Sequence, residues 1–110
     1  MSTIINEVTI DLNGSPKFLR VCPRAAKEIT AQFGNYMEVF QRLVNFDHAA
    51  YVAIVASGLN KKRLDVEEDV WATGLDKLTD KLSEYVGLLL RAGRPAETDD
   101  DKKDPKTGEV

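Results

Sequence analysis

The sequence predicts an α+β fold, mainly α. An N-terminal two-stranded antiparallel β-hairpin packs on a bundle of four to five short helices, followed by a disordered acidic C-terminal tail. Three observations carry this prediction. Apolar and polar residues alternate on either side of an Asn-Gly turn near the N-terminus. The middle of the chain shows helical periodicity broken by glycines and capping residues. The last fifteen residues, 96–110, contain no large apolar side chain except the terminal Val110.

The hairpin is expected over 6–22. Val8, Ile10 and Leu12 alternate with Glu7, Thr9 and Asp11, the period of a strand with one wet face. Asn13-Gly14 supplies the positive φ angles of a tight turn, and Lys17 to Cys22 reads as the return strand. Two strands alone are marginal in water, so their apolar face must lie on the helices expected over 23–93.

Pro23 suits the first turn of a helix, where its missing N–H costs nothing. Ala26, Ile29, Thr30 and Phe33 share one face of that helix, and Gly34 is placed as its C-terminal cap. Asn35 caps a second helix, in which Tyr36, Met37, Val39, Phe40, Leu43 and Val44 leave only Glu38, Gln41 and Arg42 for solvent. Asp47 caps a third, whose body HAAYVAIVAS is apolar nearly all round, the mark of a buried central helix. Asp65 is placed as the cap of a fourth, completing a capping box with Glu68. Leu75, Leu78, Leu82, Tyr85, Val86 and Leu89 form the stripe of a last helix, which Gly93 and Pro95 end.

Two tetrapeptides stand out: A-S-G-L at Ala56 to Leu59 and A-T-G-L at Ala72 to Leu75. Both read as Schellman ends. Gly58 and Gly74 would take the left-handed conformation, while Leu59 and Leu75 pack back on Ile54 and Val70. A solenoid repeat would need at least three such units, and the chain does not supply them.

Charge narrows the function classes. The chain carries a net charge of -3. Six acids and three lysines lie in 96–110, giving that same -3, so residues 1–95 are neutral. A neutral body gathers no phosphate at long range, so nucleic acid is not an expected partner. Lys61-Lys62-Arg63 reads as a solvated linker beside Glu67, Glu68 and Asp69. One cysteine, Cys22, and one histidine, His48, make neither a disulfide nor a Cys/His zinc site. The N-terminus lacks the pattern of a signal peptide, and no apolar run is long enough to span a bilayer, so a soluble, cytoplasmic chain is expected.

No phosphate-binding loop, dinucleotide fingerprint, HExxH or GxSxG motif is present, and the DDD at 99–101 lacks the spacing of a calcium loop. Catalytic, cofactor-binding and metal-ligating residues are therefore all expected to be none. Trp71, the only tryptophan, is the best candidate for a partner anchor, since tryptophan is enriched at binding hot spots. Leu78, Leu82, Tyr85 and Leu89 join it if the last helix presents its apolar face to a partner, and otherwise form the domain's own core.

The order of these elements carries a resemblance. V-T-I-D-L-N-G leads into F-L-R-V-C-P, then a helix starting R-A-A-K-E-I, an alanine-rich helix ending A-S-G-L and an acidic helix ending A-T-G-L. This resembles the small tail proteins of phages, prophages and gene transfer agents of the tail assembly chaperone type, over about residues 7–92. Cys22-Pro23 stands where Arg-Pro is commoner in that pattern, and the KKRLDVEED link is unusually charged. The resemblance implies a non-enzymatic, cytoplasmic morphogenesis factor in the bacterial host. It would bind the tape-measure protein, or another tail component, and be absent from the finished particle. Two alternatives stand beside it: a small helical nucleic-acid-binding regulator, and a structural tail subunit retained in the particle.

Overall fold

The computed structural model describes residues 4–94. The elements run β1 (Glu7–Leu12), β2 (Ser15–Arg20), α1 (Pro23–Phe33), α2 (Tyr36–Val44), α3 (His48–Leu59), α4 (Arg63–Thr73) and α5 (Leu75–Leu90). This is the predicted hairpin followed by five helices. The expected disordered tail, 96–110, lies outside the described residues.

β1 and β2 pair antiparallel from Glu7 opposite Arg20 to Leu12 opposite Ser15. Asn13 and Gly14 both take positive φ, 53° and 84°, as a two-residue hairpin turn requires. Val8, Ile10 and Leu12 face inward with Leu19, while Glu7, Thr9 and Asp11 face water. Pro16 is tolerated opposite Asp11 because a two-stranded sheet has only edge strands.

The inner face of the hairpin lies on α3 and α5. Three ties hold it there. At its tip, the Asn13 backbone N–H donates to Thr73 Oγ1 (2.6 Å), and its side-chain amide donates to Asp69 Oδ1 (3.1 Å). At its base, Tyr85 Oη donates to the Arg20 carbonyl at 2.5 Å. Beyond β1, the Ile5 N–H donates to the Gly93 carbonyl at 2.7 Å, bringing the segment before the hairpin against the segment after α5.

α3 is the buried centre, as its composition requires: every residue from Ala50 to Gly58 is buried. α1, α2, α4, α5 and β2 all touch it. Its polar needs are met locally. Tyr51 Oη donates to the Leu43 carbonyl (2.6 Å) and lies 2.9 Å from Thr79 Oγ1. The Ser57 carbonyl accepts from Arg24. Each fully buried leucine or isoleucine of this core contributes about 1.5–3 kcal/mol.

Pro23 is the first residue of α1, and the predicted caps at Asn35 and Asp47 are where the sequence placed them. Asn35 accepts from the Glu38 N–H at 2.8 Å, and Asp47 from the Ala50 N–H at 3.4 Å. Gly34 closes α1 with φ 96°, donating to the Thr30 carbonyl. Gly74 closes α4 with φ 95°, donating to Val70. The expected left-handed Schellman end is not formed there. With ψ 134° Gly74 lies outside the left-handed region, its N–H makes only this one bond, and it stands immediately before Leu75, the first residue of α5.

Three further expectations need correction. Gly58 is not a helix cap: α3 runs through it to Leu59, and Asn60 takes the left-handed conformation instead (φ 57°, ψ 48°). The Schellman pair of bonds, Lys61 N–H to the Ala56 carbonyl and Asn60 N–H to Ser57, is centred on Asn60. Gly58 is needed for space. A Cβ there would fall 2.9 Å from Leu19 Cβ, 2.8 Å from its Cδ2 and 3.2 Å from Tyr85 Oη. Secondly, α4 starts at Arg63 with Lys62 as an extended cap, so Asp65 lies in the first turn and makes no capping box. Thirdly, Met37 and Val44 are exposed, because α2 buries only the narrow stripe of Val39 and Leu43.

The Schellman bonding pattern recurs at two further helix ends, again on residues with a side chain. Phe46 (φ 55°) closes α2, where the Asp47 N–H donates to Arg42 and the Phe46 N–H to Leu43. Ala92 (φ 58°) closes α5, where the Gly93 N–H donates to Leu88 and the Ala92 N–H to Leu89. None of the three motifs has glycine at the left-handed position, and this is why glycine is a poor guide to where these helices stop.

Candidate partner-binding surface

α4 has apolar residues on both faces. Val66 and Val70 turn inward to the core. On the opposite side Leu64, Glu67, Glu68 and Trp71 recur at i, i+3, i+4 and i+7, which places them on one stripe. Leu64 is 82% exposed and Trp71 74% exposed. With His48, at the start of α3, these four line a shallow depression. The inward valines fix the rotation of the helix, and that rotation presents the tryptophan and leucine to solvent.

Of the five partner-anchor candidates, Trp71 alone is exposed. Leu78, Leu82, Tyr85 and Leu89 are buried in the core, and α5 contacts β1, α1, α2, α3 and α4. Burial also pushes the Tyr85 phenol far above its ordinary value. Its hydroxyl is therefore a fixed neutral donor to Arg20.

Leu64 is the surface residue that sequence reasoning misses. With Asp65 as the cap, Leu64 falls outside the fourth helix. Starting that helix at Arg63 brings Leu64 onto the same face as Trp71, one heptad away. The spacing is present in the sequence, but only the correct helix start gives it meaning.

Lys61 and Lys62 are exposed. Arg63, already in the helix, donates to Gln32 Oε1. The three border a second shallow hollow together with Glu28, Ala31, Ala53, Ala56 and Leu64. Its floor is methyl groups, and one of its walls is a carboxylate. Cys22 is half-buried in a small apolar cleft of about 210 Å³ between the segment before β1 and the end of α5. Among the described residues, no three His, Cys, Asp or Glu side chains form a group able to hold a metal ion. No helix there is long and apolar enough to cross a membrane.

The α2–α3 corner beside this surface is organised by charge. Arg42 Nε donates to Glu38 Oε2 at 2.9 Å, and Arg42 Nη1 to Asp47 Oδ2 at 2.8 Å. The Arg42 guanidinium holds the Asp47 carboxyl below its ordinary value. Asp47 thus caps α3 and clamps the end of α2 with one side chain.

No protein-family model matches the chain, and neither a curated protein nor a solved structure shows a significant likeness to it.

Proposed function

We propose that the protein is a non-catalytic tail morphogenesis factor of a phage, prophage or gene transfer agent: a tail assembly chaperone that binds the tape-measure protein in the bacterial cytoplasm. Two things support the reading. The resemblance in element order runs over about residues 7–92, from the hairpin through the two helices that carry A-S-G-L and A-T-G-L to the last amphipathic helix. The observation that carries it is the exposure of Trp71 and Leu64 on a well-packed domain. An exposed tryptophan paired with an exposed leucine on one helix stripe supports an interaction site more than a catalytic one.

A chaperone for a long helical polypeptide needs a rigid platform that presents apolar contacts without collapsing onto them. α4 meets that need. Its inward valines anchor it, its N-terminal half is acidic on the outer side, and its end is tied to the hairpin tip through Thr73 and Asp69. The nucleic-acid alternative draws on Lys61 and Lys62 alone, facing Glu28 across an apolar floor. Two cations without a wider basic patch give little phosphate affinity.

Co-expression with a fragment of a tape-measure protein tests the proposal. A stable co-purified complex is the expected result. The absence of any complex, together with the absence of tail genes beside this one, overturns it.

A further inference from the structure

The outer stripe of α4 combines two features whose conjunction defines what covers it. Leu64 and Trp71 offer apolar surface at its two ends. Glu67 and Glu68 sit between them, exposed, and neither joins an ion pair among the described residues. The carboxylates elsewhere that do pair, Glu28, Glu38, Asp47 and Glu84, have their cation on the same or the next element. Resting on the reading of the chain as a protein-binding module, the geometry points to a basic amphipathic helix of a partner, laid along α4 with its cations on Glu67 and Glu68 and its apolar residues on Trp71 and Leu64.

The chemistry selects this occupant. The stripe follows the axis of α4 for about 10 Å, two turns, which is the footprint of a helix lying alongside. No sheet edge is part of it, so an added strand would find no backbone to pair with. An acidic segment, a nucleic-acid backbone or an anionic membrane would set like charge against two carboxylates, and such juxtaposition is strongly penalised. A lysine or arginine gains twice, from the carboxylates and from the face of the indole. Two apolar anchors flanking a charged centre also fix the register of the partner, since sliding by one turn would set an apolar residue on the carboxylates.

Trp71 is the only tryptophan, so its emission reports directly on the surface. The probes are an eighteen-residue helical peptide of leucine and lysine, its leucine–glutamate counterpart, and phosphatidylcholine vesicles, each titrated into the full chain. The lysine peptide is expected to shift the emission to the blue and to bind at least about tenfold tighter than the glutamate peptide. Glu67→Lys/Glu68→Lys is expected to invert that preference, the ion pairs being its source. Leu64→Asp is expected to weaken binding by about tenfold or more. All these residues are exposed, and unchanged melting temperatures would show that the variants fold.

Equal affinity for the two peptides, a preference untouched by the double substitution, or a blue shift produced by the vesicles alone would overturn the assignment. The tape-measure complex separates this inference from the proposed function. A complex that survives Leu64→Asp and the double lysine variant removes this surface and leaves the chaperone reading standing. Selective capture of the lysine peptide, with no tape-measure complex, does the reverse.

Discussion

A-S-G-L and A-T-G-L differ by one letter and behave oppositely. Gly74 has φ 95° and stands in the joint between two helices. Gly58 lies inside α3, where any residue could adopt the backbone, and is needed because β2 comes so close. The difference lies in the residues further along the chain. After Gly58 comes Leu59 and then Asn60, a residue that accepts the left-handed conformation, so the helix continues and stops two residues later. After Gly74 the apolar stripe of α5 begins at once, so the glycine itself must turn the chain.

The largest effect is expected at the buried glycine. Gly58→Val should cost about 3 kcal/mol or more, because the clash is with Leu19 Cβ, next to the backbone, and the core there has no slack. Urea unfolding followed by circular dichroism would measure it. A midpoint like that of the wild type would refute the close approach of α3 to β2.

Gly74→Ala should come next, at about 1–3 kcal/mol, from backbone strain at φ 95° and ψ 134°. Its cause differs from that at Gly58, and a double-mutant cycle exposes the difference. Leu19→Ala should relieve part of the cost of Gly58→Ala and leave that of Gly74→Ala unchanged. Equal coupling to both glycines would show that the two share one mechanism after all.

Much of this fold is legible in the sequence because its signals are local. Asn35 and Asp47 begin helices through bonds made within three residues, Pro23 does so through its own fixed φ, and alternation in β1 needs only its own six letters. The core stripe of α5 is legible for the same reason. The fourth helix is not, because it starts after Lys62, which caps it with an extended backbone and no side-chain bond, and so leaves no capping letter in the sequence. That single misplaced boundary hides Leu64, and with it half of the candidate surface. Met37 and Val44 are misjudged for a related reason: counting apolar letters in α2 says nothing of how wide a stripe its neighbours can cover.

Asp47→Ala should cost about 1 kcal/mol through the lost cap of α3. The wild type should also show a pH dependence that this variant lacks. The Asp47 carboxyl is held below its ordinary value by Arg42, so its contribution is complete above the unfolded value of about 3.9 and disappears as pH falls through the lower folded value. Melting temperatures taken from neutral pH downward should converge at the acid end. Parallel curves would show that the Arg42–Asp47 contact does not act on stability.

The smallest change should be a gain. Ala92→Gly replaces a side chain at φ 58° and should raise stability by roughly 1 kcal/mol or less, the reverse of the substitution at Gly74. A fall in melting temperature would mean that the α5 terminus does not adopt this turn.

The bond from Ile5 to Gly93 and the docking of β1 against α5 bear on how the chain is made. The hairpin is synthesised first, but much of the surface that covers it is synthesised last. A two-stranded ribbon has little stability of its own, and the part of β1's inner face that α5 covers stays open until that helix has been made. Every nascent copy thus passes through a stage with a complete hairpin and no α5, the interval in which one chain could take the missing helix from another.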